Sequence, residues 1–200
     1  GEGEAEKARA LENWLRGRGF DNFTYINAPD ERVPSGIRPN LILTVPGRNS
    51  GRTLWIMSHL DVVPPGNTDL WETDPFTVTE KDGRLYGRGT EDNQQGMVCS
   101  VMAALALKEN GIVPEYNVKL LFMADEEVGS DYGIIHIIDR YPDLFSADDL
   151  VLVPDSGTAT GDEIQIAEKN VFWFRITTEG VQCHGAYPSA GKNAFLAGCD

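Results

Sequence analysis

"NVKLLFMADEEVGS", residues 117–130, runs from an almost unbroken apolar stretch straight into three adjacent carboxylates, Asp125, Glu126 and Glu127. Apolar residues on consecutive positions suit a strand covered on both faces, as in a parallel sheet clad by helices. Three like charges at the end of such a strand repel one another, and partial burial enlarges the repulsion. A cation placed among them would offset it.

The surroundings of this strand predict the fold class. Before it, "QQGMVCSVMAALALKE" (94–109) predicts a helix ended by Asn110-Gly111, with Val98, Cys99, Val101 and Met102 on its core face. After it, residues 131–140 predict a second helix, in which His136 is structural, and "DLVLVPD" (149–155) a further buried strand. Upstream, "NLILTVPGRNSGRTLWIMSHLD" (40–61) holds two apolar β-rich runs around a Gly/Pro/Asn turn and predicts a hairpin. Ala5, Ala8, Leu11 and Leu15 predict a helix over 4–16. "FTVTEKDGRLYG" predicts an exposed hairpin turning at Asp82-Gly83, and "EIQIAEKNVFWFRITTEG" (163–180) two strands, the second alternating Phe172, Phe174 and Ile176. Trp55 and Trp71 are packing residues in this reading. Strands alternating with helices give an α/β fold with a mostly parallel sheet covered by helices.

In such sheets ligands gather at the carboxyl ends of the strands. His59 and Asp61 follow "TLWIMS", Glu126 and Glu127 follow "VKLLFMAD", Asp155 follows "LVLVP", and Asp92 immediately precedes the long helix. Imidazole nitrogen and carboxylate oxygen are donors for divalent metals. His59, Asp92, Glu127 and Asp155, with Asp61 and Glu126 beside them, exceed one four-coordinate shell, whereas two ions bridged by a carboxylate use them all. His59 and Asp61 sit two apart, so on an extended strand end Asp61 can accept the second imidazole N–H and fix the tautomer. Glu126 and Glu127 diverge: one ligates while the other faces water as a general base.

Composition narrows the partners. The chain has 200 residues and a net charge of −14, which disfavours nucleic acid and anionic membrane surfaces as partners. Cys99, Cys183 and Cys199 are odd in number and widely spaced. That argues against a disulfide scaffold or thiolate zinc site and points to a reducing, cytoplasmic setting. No run approaches the ~18–20 apolar residues of a membrane span. The G-x-S-x-G elbow and the phosphate-binding P-loop are both lacking.

The segments "SHLDVVPPG", "WETDPFTVTEKDGRLYGRGTEDNQQG", "LLFMADEEVGS", "PDSG" and "GVQCHGAYPSAGKNA", in this order across residues 40–200, resemble one family. It is the family of zinc aminoacylases, succinyl-diaminopimelate desuccinylases, acetylornithine deacetylases and glutamate carboxypeptidases, the co-catalytic metallopeptidases. The resemblance implies a zinc-peptidase-like catalytic domain over 1–169 and the start of a small α+β lid and dimerisation domain over 170–200. It implies two Zn2+ ions (Co2+ or Mn2+ as alternatives): His59 and Asp155 on one, Glu127 on the other, Asp92 bridging. Glu126 is then the base, Asp61 supports the centre, and His184 reaches a partner subunit's site to hold the substrate carbonyl. A cis Asp92-Asn93 peptide is implied too. The family's final histidine ligand has no counterpart here, so the chain reads as truncated and inactive alone. The expected function is a di-zinc hydrolase that uses metal-activated water to cleave an amide bond in a small carboxylate-bearing substrate, an N-acyl amino acid or a dipeptide. The expected assembly is a homodimer through the lid. The alternative is a catalytically silent metal-binding and dimerisation module of the same fold.

Overall fold

The apolar stretch becomes the central strand of a five-stranded sheet. The computed structural model describes residues 3–158, 160–167, 169 and 172–199. In chain order the elements are α1 (Ala5–Arg16), β1 (Phe23–Pro29), β2 (Ile37–Val45), β3 (Asn49–His59), β4 (Thr79–Lys81), β5 (Arg84–Tyr86), α2 (Gln94–Glu109), β6 (Tyr116–Met123), α3 (Ile134–Arg140), β7 (Leu150–Leu152) and α4 (Ala194–Cys199). The sheet order is β1-β2-β6-β3-β7. β2 is antiparallel to β1 and β6, while β3 is parallel to β6 and β7, so β2 alone runs against the rest. The mostly parallel, helix-covered α/β sheet is as the sequence predicts.

The hairpin predicted over residues 40–61 does not form, because β6 inserts between β2 and β3. Leu120, Leu121 and Phe122 of β6 are 0% exposed, and a central position covers both faces and both edges of that strand. The β2–β3 connection closes around the incoming chain. Gly47 N–H donates to Asn117 Oδ1 at 3.0 Å, Arg48 N–H to the Pro114 carbonyl at 2.9 Å and Asn49 N–H to the Glu115 carbonyl at 2.8 Å. A Cβ at Gly47 would lie 2.2 Å from the Tyr116 carbonyl. The backbone groups a hairpin would have paired are satisfied by the third strand instead.

Alternate side chains of β6 enter two cores. Leu120 and Phe122 pack with Leu41, Leu43, Ala8, Leu15, Met97 and Val101 beneath α1 and α2. Leu121 and Met123 pack with Ile42, Trp55, Met57 and Ile137 beneath α3. At about 1.5–3 kcal/mol per large apolar side chain buried, these clusters supply the main driving force for folding. Trp55 is a packing residue as read, its ring tilted against Phe145 with centroids 4.7 Å apart and its indole N–H on Asp149 at 3.0 Å. Trp71 donates to the Pro65 carbonyl at 2.9 Å.

Three local expectations need correction. On α2 the buried residues are Gly96, Met97, Ser100, Val101, Ala104 and Leu105, so Val98, Cys99 and Met102 are exposed. The helix is apolar on nearly every side, and its periodicity could not select a face. β7 pairs only with β3 and its residues are exposed rather than buried. The helix expected over 131–140 begins at Ile134. The hairpin at Asp82-Gly83 forms as expected, with φ of 53° and 73° at the two turn residues.

The chain separates into two units, Gly1–Glu163 and Ile164–Asp200. In the second, α4, a 3-10 turn at Pro188–Ala190 and a single bridge between Val181 and Lys192 are the regular structure among the described residues. The described residues of 163–180 do not form the two expected strands, and Phe172, Phe174 and Ile176 are exposed. Alternation supplies an apolar face, but a strand also needs a ladder partner. Residues 168, 170 and 171 of this stretch, and with them the expected boundary at residue 170, lie outside the described residues. No helix among the described residues is long and apolar enough to cross a membrane.

Candidate metal centre

The parallel register of β3 and β6 sets His59 opposite Met123, and Leu60 N–H bonds the Met123 carbonyl at 2.6 Å. The residues that follow both strands therefore emerge at one edge. Beyond Met123, buried Asn40 of β2 governs the path. Its Oδ1 accepts from Ala124 N–H at 3.0 Å, and its Nδ2 donates to the Ile26 and Tyr132 carbonyls at 2.9 Å each. Asp125 turns the chain in the left-handed region, φ 66°, with its carbonyl accepting from Ser130 N–H at 2.7 Å. Glu126 and Glu127 then sit on a short 3-10 turn, Glu126–Val128.

Asp61 grips that turn. Its Oδ1 accepts from Glu126 N–H and its Oδ2 from Glu127 N–H, each at 3.0 Å. Behind it, Lys7 of α1 donates to the Leu60 carbonyl at 2.7 Å. Arg38 binds Asp30 and Glu4 at 2.7 Å each and approaches Asp125 at 3.5 Å.

The His59 ring is 2% exposed. Its Nε2 lies 2.9 Å from Asp92 Oδ1 and 3.5 Å from Asp155 Oδ1. One ligating atom from each of His59, Asp92 and Asp155 lies within 4.8 Å of the others. The other ring nitrogen, Nδ1, is 3.0 Å from the main-chain carbonyl of Asp61 and 3.4 Å from its Oδ1. The partner expected for the second imidazole N–H is therefore the right residue, but its carbonyl makes the closer contact while the carboxylate serves the Glu126–Glu127 backbone. Asp155 reaches the group because α2 packs tightly on the loop before it: a Cβ on Gly96 would lie 2.0 Å from the Pro154 carbonyl. The Asp92-Asn93 peptide is cis, as the resemblance implied.

Charge crowding appears in the titration behaviour. Burial opposes protonation of His59, but the bonds to Asp61 and Asp92 outweigh it and hold the pKa up at about 9. Burial raises the Glu126 carboxyl, and the Asp155, Asp61 and Glu127 charges add to it while His59 opposes. Burial also raises Glu127, helped by Asp92. Burial works against the Asp61 charge, yet His59 and the two glutamate N–H groups bring its pKa below the usual carboxylate value.

His59, Asp92 and Asp155 fit a divalent cation: one imidazole nitrogen whose partner nitrogen is already bonded, and two carboxylate oxygens. Glu127 stands outside that trio, feels the Asp92 charge, and accepts from Val63 N–H at 3.3 Å. His184 belongs to the second unit, where it is exposed and accepts from Ala186 N–H at 3.2 Å. His136 lies on α3, outside the trio. Asn93, Asn40, Lys7 and Arg38 are supporting residues that the sequence reading missed. Asn93 stood inside a quoted motif, but nothing in its spacing marked its side chain. A cavity of about 340 Å³ lined by Phe20, Val45, Leu107 and Pro114 lies at the opposite end of β2 and β6 from this centre.

Fold and site together define an α/β protein with a carboxylate-rich candidate metal site at the strand ends. Residues 55–193 match the family described as peptidase family M20/M25/M40, and the chain belongs to that family. An uncharacterized metallohydrolase of Methanocaldococcus jannaschii is 42% identical over 205 residues, covering 98% of this chain and 49% of the relative. A succinyl-diaminopimelate desuccinylase of Bordetella petrii is 34% identical over 147 residues, covering 72% and 39%. Among solved structures, an M20 family metallo-carboxypeptidase of Sulfolobus solfataricus superposes with a TM-score of 0.65 at 26% identity, covering 80% of this chain and 35% of that one. Human carnosine dipeptidase 1 gives 0.62 at 26%, covering 74% and 32%. The chain spans about half the length of the two curated metallohydrolases it matches over 98% of its own residues.

Proposed function

We propose that this chain carries most of the metal centre of a two-metal hydrolase that cleaves an amide bond in a small carboxylate-bearing substrate, an N-acyl amino acid or a dipeptide. The observation that carries the reading is the convergence of His59, Asp92 and Asp155 within 4.8 Å, from three separate segments. Relatives named for desuccinylase, dipeptidase and carboxypeptidase activity support it.

His59 and Asp155 would hold one ion and Glu127 the second, with Asp92 between them; zinc, cobalt or manganese suits these donors. Bound there, such ions polarise a carbonyl and acidify water. The protein's own groups do the rest. Glu126, whose carboxyl is raised by burial and by neighbouring carboxylates, takes the proton of the attacking water and returns it to the departing amine. Asp61 holds the backbone N–H groups of both glutamates, so base and ligand are aimed from one anchor. We assign His184 to the substrate carbonyl in a neighbouring subunit, and the second unit to a lid and dimerisation domain in a homodimer.

The test is metal analysis of the full-length protein followed by a hydrolysis screen of acyl-amino acids against dipeptides with zinc or cobalt added. Two ions per chain and chelator-sensitive hydrolysis are expected. A single tightly held ion with no hydrolysis of either class would establish the silent module instead.

A further inference from the structure

We infer that Asn93 is a positioning residue of the metal centre: its carboxamide ties the main chain of His59 to the carboxylate of Asp155 and sets those two ligands at coordination spacing before any ion arrives. The inference rests on the assignment of His59 and Asp155 as ligands given above.

Asn93 is 1% exposed. Its Oδ1 accepts from His59 N–H at 3.3 Å, and its Nδ2 donates to Asp155 Oδ1. The orientation of the amide is forced, because a backbone N–H can only donate and a carboxylate can only accept. The Asp155 oxygen that receives this bond is the one 3.5 Å from His59 Nε2. One side chain therefore specifies the separation of two ligands that arrive from the end of β3 and from the segment after β7. That segment has little sheet support of its own, since β7 is a three-residue edge strand.

A carboxamide is the group the position requires. Aspartate is nearly isosteric and could still accept from His59 N–H, but it would set another carboxylate against Asp155 and remove the donor. Alanine would leave a buried N–H without its acceptor and Asp155 free to move. The link is also neutral, so it adds no charge to a centre that already gathers Asp61, Asp92, Glu126, Glu127 and Asp155.

The experiment compares full-length wild type with Asn93→Asp and Asn93→Ala. Cobalt affinity is read by competition with a chromophoric chelator, coordination by the visible spectrum of the cobalt protein, and folding by unfolding of the metal-free form. Asn93→Asp is expected to bind its first ion about 10–100-fold more weakly, with an altered cobalt spectrum and a lower kcat at nearly unchanged KM once metal is saturating. Wild-type affinity and spectrum in Asn93→Asp would overturn the inference. Should that variant fail to fold, the side-chain amide of Asn93 is followed by NMR in metal-free wild type labelled at asparagine. A slowly exchanging Nδ2–H supports the bond, and rapid exchange sinks the inference. A wild type that binds no divalent ion would overturn the proposed function and this inference with it, whereas a metal-binding, active wild type matched by Asn93→Asp overturns this inference alone.

Discussion

Glu126 and Glu127 hang from the same Asp61 carboxylate yet have different neighbours. Glu127 is tied to Val63 N–H and feels Asp92, whereas Glu126 feels His59 and Asp155. Removing the titrating group of Glu126 alone should spare metal binding. Glu126→Gln is expected to keep its metal and lose about 10²–10⁴-fold in kcat, measured by steady-state kinetics alongside metal analysis; near wild-type turnover would remove it as the base. His59 makes a pH prediction. In the metal-free protein its pKa of about 9 lies above the unfolded value of about 6.5. The imidazolium therefore stabilises the fold fully below about pH 6.5, and that contribution disappears as pH rises through about 9. A cation must displace the same proton, so cobalt affinity should climb roughly tenfold per pH unit between about pH 6.5 and 8.5. A flat affinity profile would exclude His59 as a ligand. At this scale the donor types were legible, because "SHLD" and "DEE" end apolar runs. The hydrogen bonds of Asp61 to two backbone N–H groups were not, since they join residues 65 and 66 positions apart.

The first turn of α2 acts on the site through its packing. Gly96 lets that turn approach the Pro154 carbonyl, and the approach carries Asp92 and Asn93 to Asp155. Alanine normally favours a helix by about 1 kcal/mol over glycine. Here the new Cβ would fall 2.0 Å from a backbone oxygen, and overpacking of this kind costs about 1–3 kcal/mol. Gly96→Ala should therefore lower the stability of the metal-free protein in urea and also weaken cobalt binding; a gain in stability would refute the close-packing account. Element identity was readable from composition for β3, β6 and α2. Their pairing was not: the two apolar runs of residues 40–61 looked like a hairpin because strand composition records burial and not which strand lies alongside.

Across the molecule the net charge is −14, and much of the repulsion concentrates where Asp61, Asp92, Glu126, Glu127 and Asp155 meet. Bound cations should relieve it. An ion held at 100 times its Kd stabilises the folded state by about 2.7 kcal/mol, so a chelator should lower the unfolding temperature of the loaded protein. Monovalent salt, whose Debye length is about 10 Å at 0.1 M, should raise the unfolding temperature of the metal-free form more than that of the loaded form. Equal salt responses in a calorimetric scan would show that the carboxylates are not coupled in this way. Fold class, family and the order of the donor residues were legible along the chain, because these lie in local patterns: apolar runs, turn residues and short motifs. It took the folded chain to reveal that β6 parts β2 from β3, which face of α2 is buried, that Asp61 clamps the glutamate backbone, and that Asn93 joins His59 to Asp155. Each of those is a contact between distant segments, and its energy comes from backbone pairing and packing that no single stretch of chain encodes.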